Sequence, residues 1–253
     1  MTTTTLADRG YRFIPGAMQY SGGVAAEPGH RLVHVRLARV LPMDQGWKAI
    51  AAWLDAQGAL RTAFVACELR SPAPFTDQGF LEFNTGYHKV LKEWGVLSPE
   101  GQNPVARSNV CPELDPPPVP GFYAFTACLP GEGGGGATRG FVASGSGEAR
   151  EGTGTYAERT IAHGDTSEAG MRAKCDWVLG EMERRMGRLG AGWKDVTTTQ
   201  VYTVYEMAPL MAHLIVPRGA AAHGITWHFA RPPVVGLDFE VDVREVAEER
   251  VVA

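Results

Sequence analysis

Cysteine is scarce in this chain, and so are most features that announce a metal, a redox centre or a polyanionic partner. The 253 residues hold four cysteines. Cys67, Cys111, Cys128 and Cys175 stand far apart and never form a CxxC pair, which excludes the usual zinc and dithiol motifs. Cys67, Cys128 and Cys175 sit among apolar neighbours and are expected to be buried thiols. Histidine offers no expected metal site either. His223 and His228 are five positions apart, which on a strand sends them to opposite faces. His34, His163 and His213 have no acidic or thiol partner at useful spacing. Basic clusters are missing too: 24 Lys and Arg lie scattered against 28 Asp and Glu, for a net charge of −4. Phosphate binding needs grouped cations, so nucleic acid is not an expected partner. No apolar run approaches the roughly 18 residues of a membrane span. Residues 1–8 are polar and Thr-rich, without the apolar centre of a signal peptide. A soluble, cytoplasmic protein is expected. A GxSxG elbow is also absent, since Ser146 lies within Ala143-Ser144-Gly145-Ser146-Gly147, and triad hydrolysis is not indicated.

What the chain does have is ordinary globular composition, 44% hydrophobic and 21% charged, and one concentration of glycine. Pro130-Gly131-Glu132-Gly133-Gly134-Gly135-Gly136 reads as a linker, because a regular element would have to give up the freedom of each glycine. No Lys-Ser/Thr follows it, so it is not a phosphate loop. It divides the chain into residues 1–130 and 131–253, each of ordinary domain size.

The two parts read alike. In the first, Arg31 to Leu37 alternates as a half-buried strand. Asp44 is placed to cap a helix through Leu54, with Trp47, Ile50, Ala51 and Leu54 on its apolar face. Thr62 to Leu69 reads as a strand and Thr76 to Trp94 as a second helix. Val105 to Val110 and Phe122 to Leu129 close the set. In the second, Gly140 to Ser144 reads as a strand, with Thr155 to Ile161 extending the hairpin. Asp165 or Thr166 is placed to cap a helix striped by Met171, Cys175, Val178, Met182, Met186 and Leu189. Val196 to Tyr205 is an alternating strand, Pro209 to Ile215 a short helix, and Ile225 to Phe229 and Leu237 to Val243 the closing strands. A repeated order of strands and helices suggests duplication.

Several segments, taken in order, resemble the RidA/YjgF family. Ala17 to Val24 is similar to its opening tyrosine segment. Pro104-Val105-Ala106-Arg107-Ser108-Asn109-Val110 resembles its P-x-R-S-x-V strand, Phe141-Val142-Ala143-Ser144-Gly145-Ser146 its V-x-S-G-Q strand, and Leu237-Asp238-Phe239-Glu240-Val241-Asp242 its closing strand. The resemblance implies an α+β fold of two tandem RidA-like (chorismate-mutase-like) units, each a mixed sheet covered on one face by two helices. The first unit is degenerate. It has Val33-His34-Val35-Arg36-Leu37 where the Ser-Gly motif belongs, and its last strand has no acid. The second lacks the arginine, with Gly224-Ile225-Thr226-Trp227 standing there.

The resemblance further implies a trimeric assembly, no cofactor, and a site shared between the units. Arg107 would fork a substrate carboxylate, with Gly145, Val110 and Trp227 beside the substrate. Glu240 would hold or deprotonate a water, amide groups around Ser144 would polarise a carbonyl or imine, and Tyr20 would close the pocket. The plain alternatives are a surface ion pair for Arg107, an exposed strand acid for Glu240 and a core ring for Tyr20. Arg231 is a further candidate cation at the cleft mouth. The implied activity is hydrolytic deamination of a small carboxylated imine or enamine, such as a 2-aminomuconate-like intermediate of aromatic catabolism. Two other readings stand beside it: a chorismatase-like hydrolase with a wider cleft lined by Trp227, Phe122 or Tyr123, and a metabolite-binding protein without turnover.

Overall fold

The computed structural model describes residues 3–131 and 140–252; most of the glycine seam lies outside the described residues. The chain opens with an antiparallel meander, β1 (Thr4–Leu6), β2 (Tyr11–Ile14) and β3 (Gly23–Ala26). Next come β4 (His30–Pro42), α1 (Met43–Ala56), β5 (Phe64–Arg70), α2 (Asp77–Glu93), β6 (Ala106–Pro112) and β7 (Gly121–Pro130). Past the seam lie β8 (Phe141–Gly147), α3 (Tyr156–Arg159), α4 (Glu168–Leu189), β9 (Thr198–Tyr202) and α5 (Ala208–Leu210), which continues as a π-turn over Met211–Ile215. The chain then forms β10 (Thr226–His228), β11 (Ala230–Arg231), β12 (Glu240–Glu245) and β13 (Glu248–Val252).

Strand order exposes the duplication. One sheet contains β4-β7-β5-β6 and the other β8-β12-β9-β10. In each set the last pair is parallel and the other two pairs are antiparallel. The tandem α+β reading therefore holds at the level of hydrogen-bonded topology.

The two sheets interlock across the middle of the sequence. β3 pairs with β8, Val24 opposite Val142, so the N-terminal meander extends the sheet of the second unit to seven strands. In return β13 lies parallel to β4, Arg250 opposite Val35, and β11 pairs with β6, which brings the first sheet to six. The boundary at 130/131 divides the sequence; the sheets cross it.

Four layers result. The stripe of α4 buries Met171, Cys175, Val178, Met182, Met186 and Leu189 against the seven-stranded sheet. Outside the other sheet, α1 and α2 enclose Trp47, whose ring meets Trp94 and Phe122 edge-on at 4.8 and 4.7 Å. Such contacts add to the burial of the rings themselves. Between the sheets, Phe13 and Val24 of the meander pack with Leu32, Val65 and Ala106. All four cysteines are free and buried. No described helix is long and apolar enough to cross a membrane.

Local expectations fail in three informative places. Asp44 does not cap α1; Pro42 precedes the helix and Asp44 sits in its first turn, where its charge suits the helix dipole. The cap of α4 is Ser167, which accepts the Gly170 N–H, while Asp165 accepts from Ser167 itself at 2.9 Å. Residues 155–161 form no strand, because Thr155 and Glu158 make a reciprocal capping box that starts α3.

Candidate active site

Where the two units meet, a cavity of about 230 Å³ opens. Each wall comes from a different element: Tyr20 from the β2–β3 loop, Arg107 from β6, Gly145 from β8 and Glu240 from β12. Arg107 thus belongs to one unit and Glu240 to the other.

Arg107 is 3% exposed. Its guanidinium lies 4.9 Å from the Tyr87 ring and 5.4 Å from the Tyr20 ring, and Nη2 donates to Asn84 Oδ1 at 2.7 Å. Nη1 is buried and has no protein partner. A buried cationic donor left unmatched is costly, which makes it a binding point for an anion. Two further polar atoms of lining residues are likewise unpartnered, Asn109 Nδ2 and Gln19 Oε1.

Glu240 is also 3% exposed. Burial, first, and then the charges of Asp242 and Glu148 push its pKa well above the usual carboxylate range; Arg107 and Arg185 pull less strongly the other way. The acid form is favoured. Its carboxyl lies over β8 at Gly145, where an added Cβ would stand 2.2 Å from Glu240 Oε1. Glycine is needed there to let the two strands' groups approach. Burial likewise holds the Tyr20 phenol above its ordinary value.

Ser144 lies beside the cavity, with its polar groups already used. Its Oγ accepts the Arg107 N–H at 3.0 Å and donates to the Ser21 carbonyl at 2.5 Å. Its own N–H donates to the Gly22 carbonyl. The hydroxyl therefore pins β6, β8 and the β2–β3 loop together, and neither group is left to polarise a substrate. Val110 is buried with Tyr202 and Ala230, outside the cavity. Trp227 lies at the surface on β10, 46% exposed, with Nε1 donating to the Thr203 carbonyl. Phe122 belongs to the core under α1, and Tyr123 stacks beneath Arg70. Arg231 pairs with Glu113 at 2.8 Å on an exposed rim. The wider aromatic cleft of the chorismatase-like reading is thus not assembled around this cavity.

Other contributors went unseen in the sequence. Glu148 is fully buried and accepts the N–H groups of Asp238 and Phe239 at 2.6 and 3.1 Å. Burial above all pushes its pKa up to about 7. Buried Lys174 pairs with Asp238 and lies 3.8 Å from Glu148. Together they fix the chain entering β12, and with it Glu240. Arg185 of α4 binds Glu181 and the carbonyls of Ser144 and Gly145. A signal existed: positions 174 and 185 fall on the same helical face as Met171, Val178, Met182 and Leu189, so two cations sit on an apolar stripe.

An arginine and a buried acid are offered to one cavity by two copies of the same α+β unit, the tandem class of fold that the sequence resemblance implies. More narrowly, the chain belongs to the family described as 2-aminomuconate deaminase CnbZ, whose profile matches residues 3–250. A 2-amino-5-chloromuconate deaminase of Comamonas testosteroni is 45% identical over 243 residues, covering 96% of each chain. Among solved structures, a chorismatase is similar over 89% of this chain and 77% of its own, with a TM-score of 0.55 and 15% identity. The YjgF gene product of E. coli is similar over 47% of this chain and 88% of its own, at 0.33 and 15%.

Proposed function

We propose that this protein is a hydrolytic deaminase of a 2-aminomuconate-like enamine or imine acid, working without a cofactor. One observation carries the reading: a buried Arg107 Nη1 without a protein partner shares its cavity with a Glu240 carboxyl that burial holds toward the acid form. The full-length likeness to a 2-amino-5-chloromuconate deaminase supports it.

In this mechanism Arg107 binds the carboxylate next to the amino-bearing carbon. Glu240 gives its proton to the neighbouring enamine carbon, leaving an iminium and a carboxylate. Water bonds to the iminium carbon as the Glu240 carboxylate takes one of its protons. The acid thus regenerated protonates the amine of the carbinolamine. The C–N bond breaks, ammonia leaves, and the hydroxyl proton returns to Glu240 as the 2-oxo acid forms. One water is consumed and one ammonia released. Tyr20 covers Arg107, and Ser144 positions it through the backbone.

Purified protein is expected to release ammonia from 2-aminomuconate. Arg107→Lys loses the fork, so KM should rise about tenfold or more. Kinetics identical to wild type would refute the assignment, and binding without ammonia release would favour a non-catalytic binder. The same reading includes a homotrimer, checked by light scattering, and a cytoplasmic setting, which four buried free thiols suit.

A further inference from the structure

We infer that the cavity contains a second carboxylate subsite, formed by Arg150 and Arg159, which selects a substrate acidic at both ends. The inference rests on the deaminase reading and extends it. Four arginines line the cavity, Arg107, Arg150, Arg159 and Arg185, against Glu151 and Glu240. Glu240 favours its neutral form, and Arg185 is already answered by Glu181 at 2.7 Å. Among the described residues Arg159 meets neutral partners: its Nη1 donates to the Arg150 carbonyl at 2.7 Å, its Nε to the Gly154 carbonyl, and its guanidinium lies 4.4 Å from the Tyr156 ring. No ion pair joins Arg150 to a described acid.

The backbone holds these two arginines side by side. Arg150 N–H donates to the Arg159 carbonyl, Ala149 bridges Thr160, and the Thr155–Glu158 capping box fixes the turn between them. The wall toward Arg107 is apolar. The Phe80 ring lies 5.9 Å from the Arg107 guanidinium and 6.2 Å from the Tyr156 ring, with Val234 and Leu237 packed beside it. Cation, apolar span, cation is the complement of a short unsaturated chain with a carboxylate at each end.

The test compares 2-aminomuconate with its analogue carrying an amide in place of the far carboxylate. Wild type is expected to show a KM about tenfold lower for the diacid. Arg159→Gln and Arg150→Gln should raise the diacid KM about tenfold, leave the amide KM unchanged and leave kcat nearly so; Arg159→Lys should recover part of the loss. Equal KM values for the two substrates in wild type, or variants that weaken both substrates alike, would overturn the subsite. Calorimetry with muconate itself, which has no amino group to lose, reads the subsite independently of turnover. Absence of ammonia from either substrate counts against the deaminase, while equal muconate binding by wild type and Arg159→Gln counts against the subsite.

Discussion

Glu240 and Glu68 are both buried carboxyls, yet their neighbours push them in opposite directions. Burial opposes the charge of each. Around Glu68 it is outweighed by Arg244, His34 and Arg70, which bring its pKa down to about 2; around Glu240 the nearest charges include two more acids, and the pKa rises. The stability consequences have opposite sign. Glu68 contributes stability present above its unfolded pKa and lost as pH falls toward about 2. Glu240, raised in the folded state, costs stability as pH rises above its unfolded pKa, because the unfolded carboxyl ionises while the folded one keeps its proton. Glu240→Gln keeps the shape and removes that cost. The variant is expected to lose about 10²-fold or more in kcat, while its Tm exceeds that of wild type by a margin that widens with pH; scanning calorimetry across pH checks the slope. Arg107 stands in a distinctive strand segment of the sequence, whereas the segment of Glu240 is weak alone and gains weight only from the order of the others. Asn84, which holds the Arg107 fork, was not legible, since it looks like any polar helix residue until the tertiary contact is known.

Among the elements, α4 shows how far periodicity reaches and where it stops. The six stripe residues named from helical spacing are all buried, because that spacing is local; Leu179 joins them. The cations on that stripe serve groups distant in sequence: Lys174 meets Asp238 and Glu148, and Arg185 meets the carbonyls of β8. Lys174→Met leaves two buried acids without their cation. At neutral pH this should destabilise the fold by about 3–5 kcal/mol, and the deficit should shrink at lower pH as Glu148 takes a proton, a trend urea melts at several pH values will show. The loss of β12 order should also lower kcat, through Glu240. The short edge strands were illegible for a different reason. Residues 4–26 and 248–252 carry weak alternation; β1 and β2 pair locally within the meander, but β3 and β13 also depend on strands more than a hundred positions away.

At the scale of the whole molecule, the repeat makes the two corresponding hollows comparable. Under the correspondence of strand order, β10, β4 and β7 stand where β6, β8 and β12 border the site. They border a second hollow of about 410 Å³, lined by His34, Tyr123 and His228 among others. No arginine lies in β10 and no acid in β7; the neighbouring charges answer each other instead, Glu68 taking Arg244 at 3.2 Å and Arg70 at 3.4 Å. The interlocked sheets also forbid a clean division into halves. Removing residues 1–28 uncovers the β8 edge and takes away Tyr20 and the inter-sheet packing of Phe13. The truncated chain is expected to lose cooperative unfolding and to aggregate, as unpaired edges do; circular dichroism melts and size-exclusion chromatography will report it.

The exchange of strands also sets a timetable for synthesis. Val24 leaves the ribosome long before its partner Val142, and Val35 waits longer still for Arg250. Neither sheet can complete its pairing while the other half is unmade, so a nascent chain must hold open edges until both partner strands have emerged, and a chain that stops before β12 lacks one wall of the cavity.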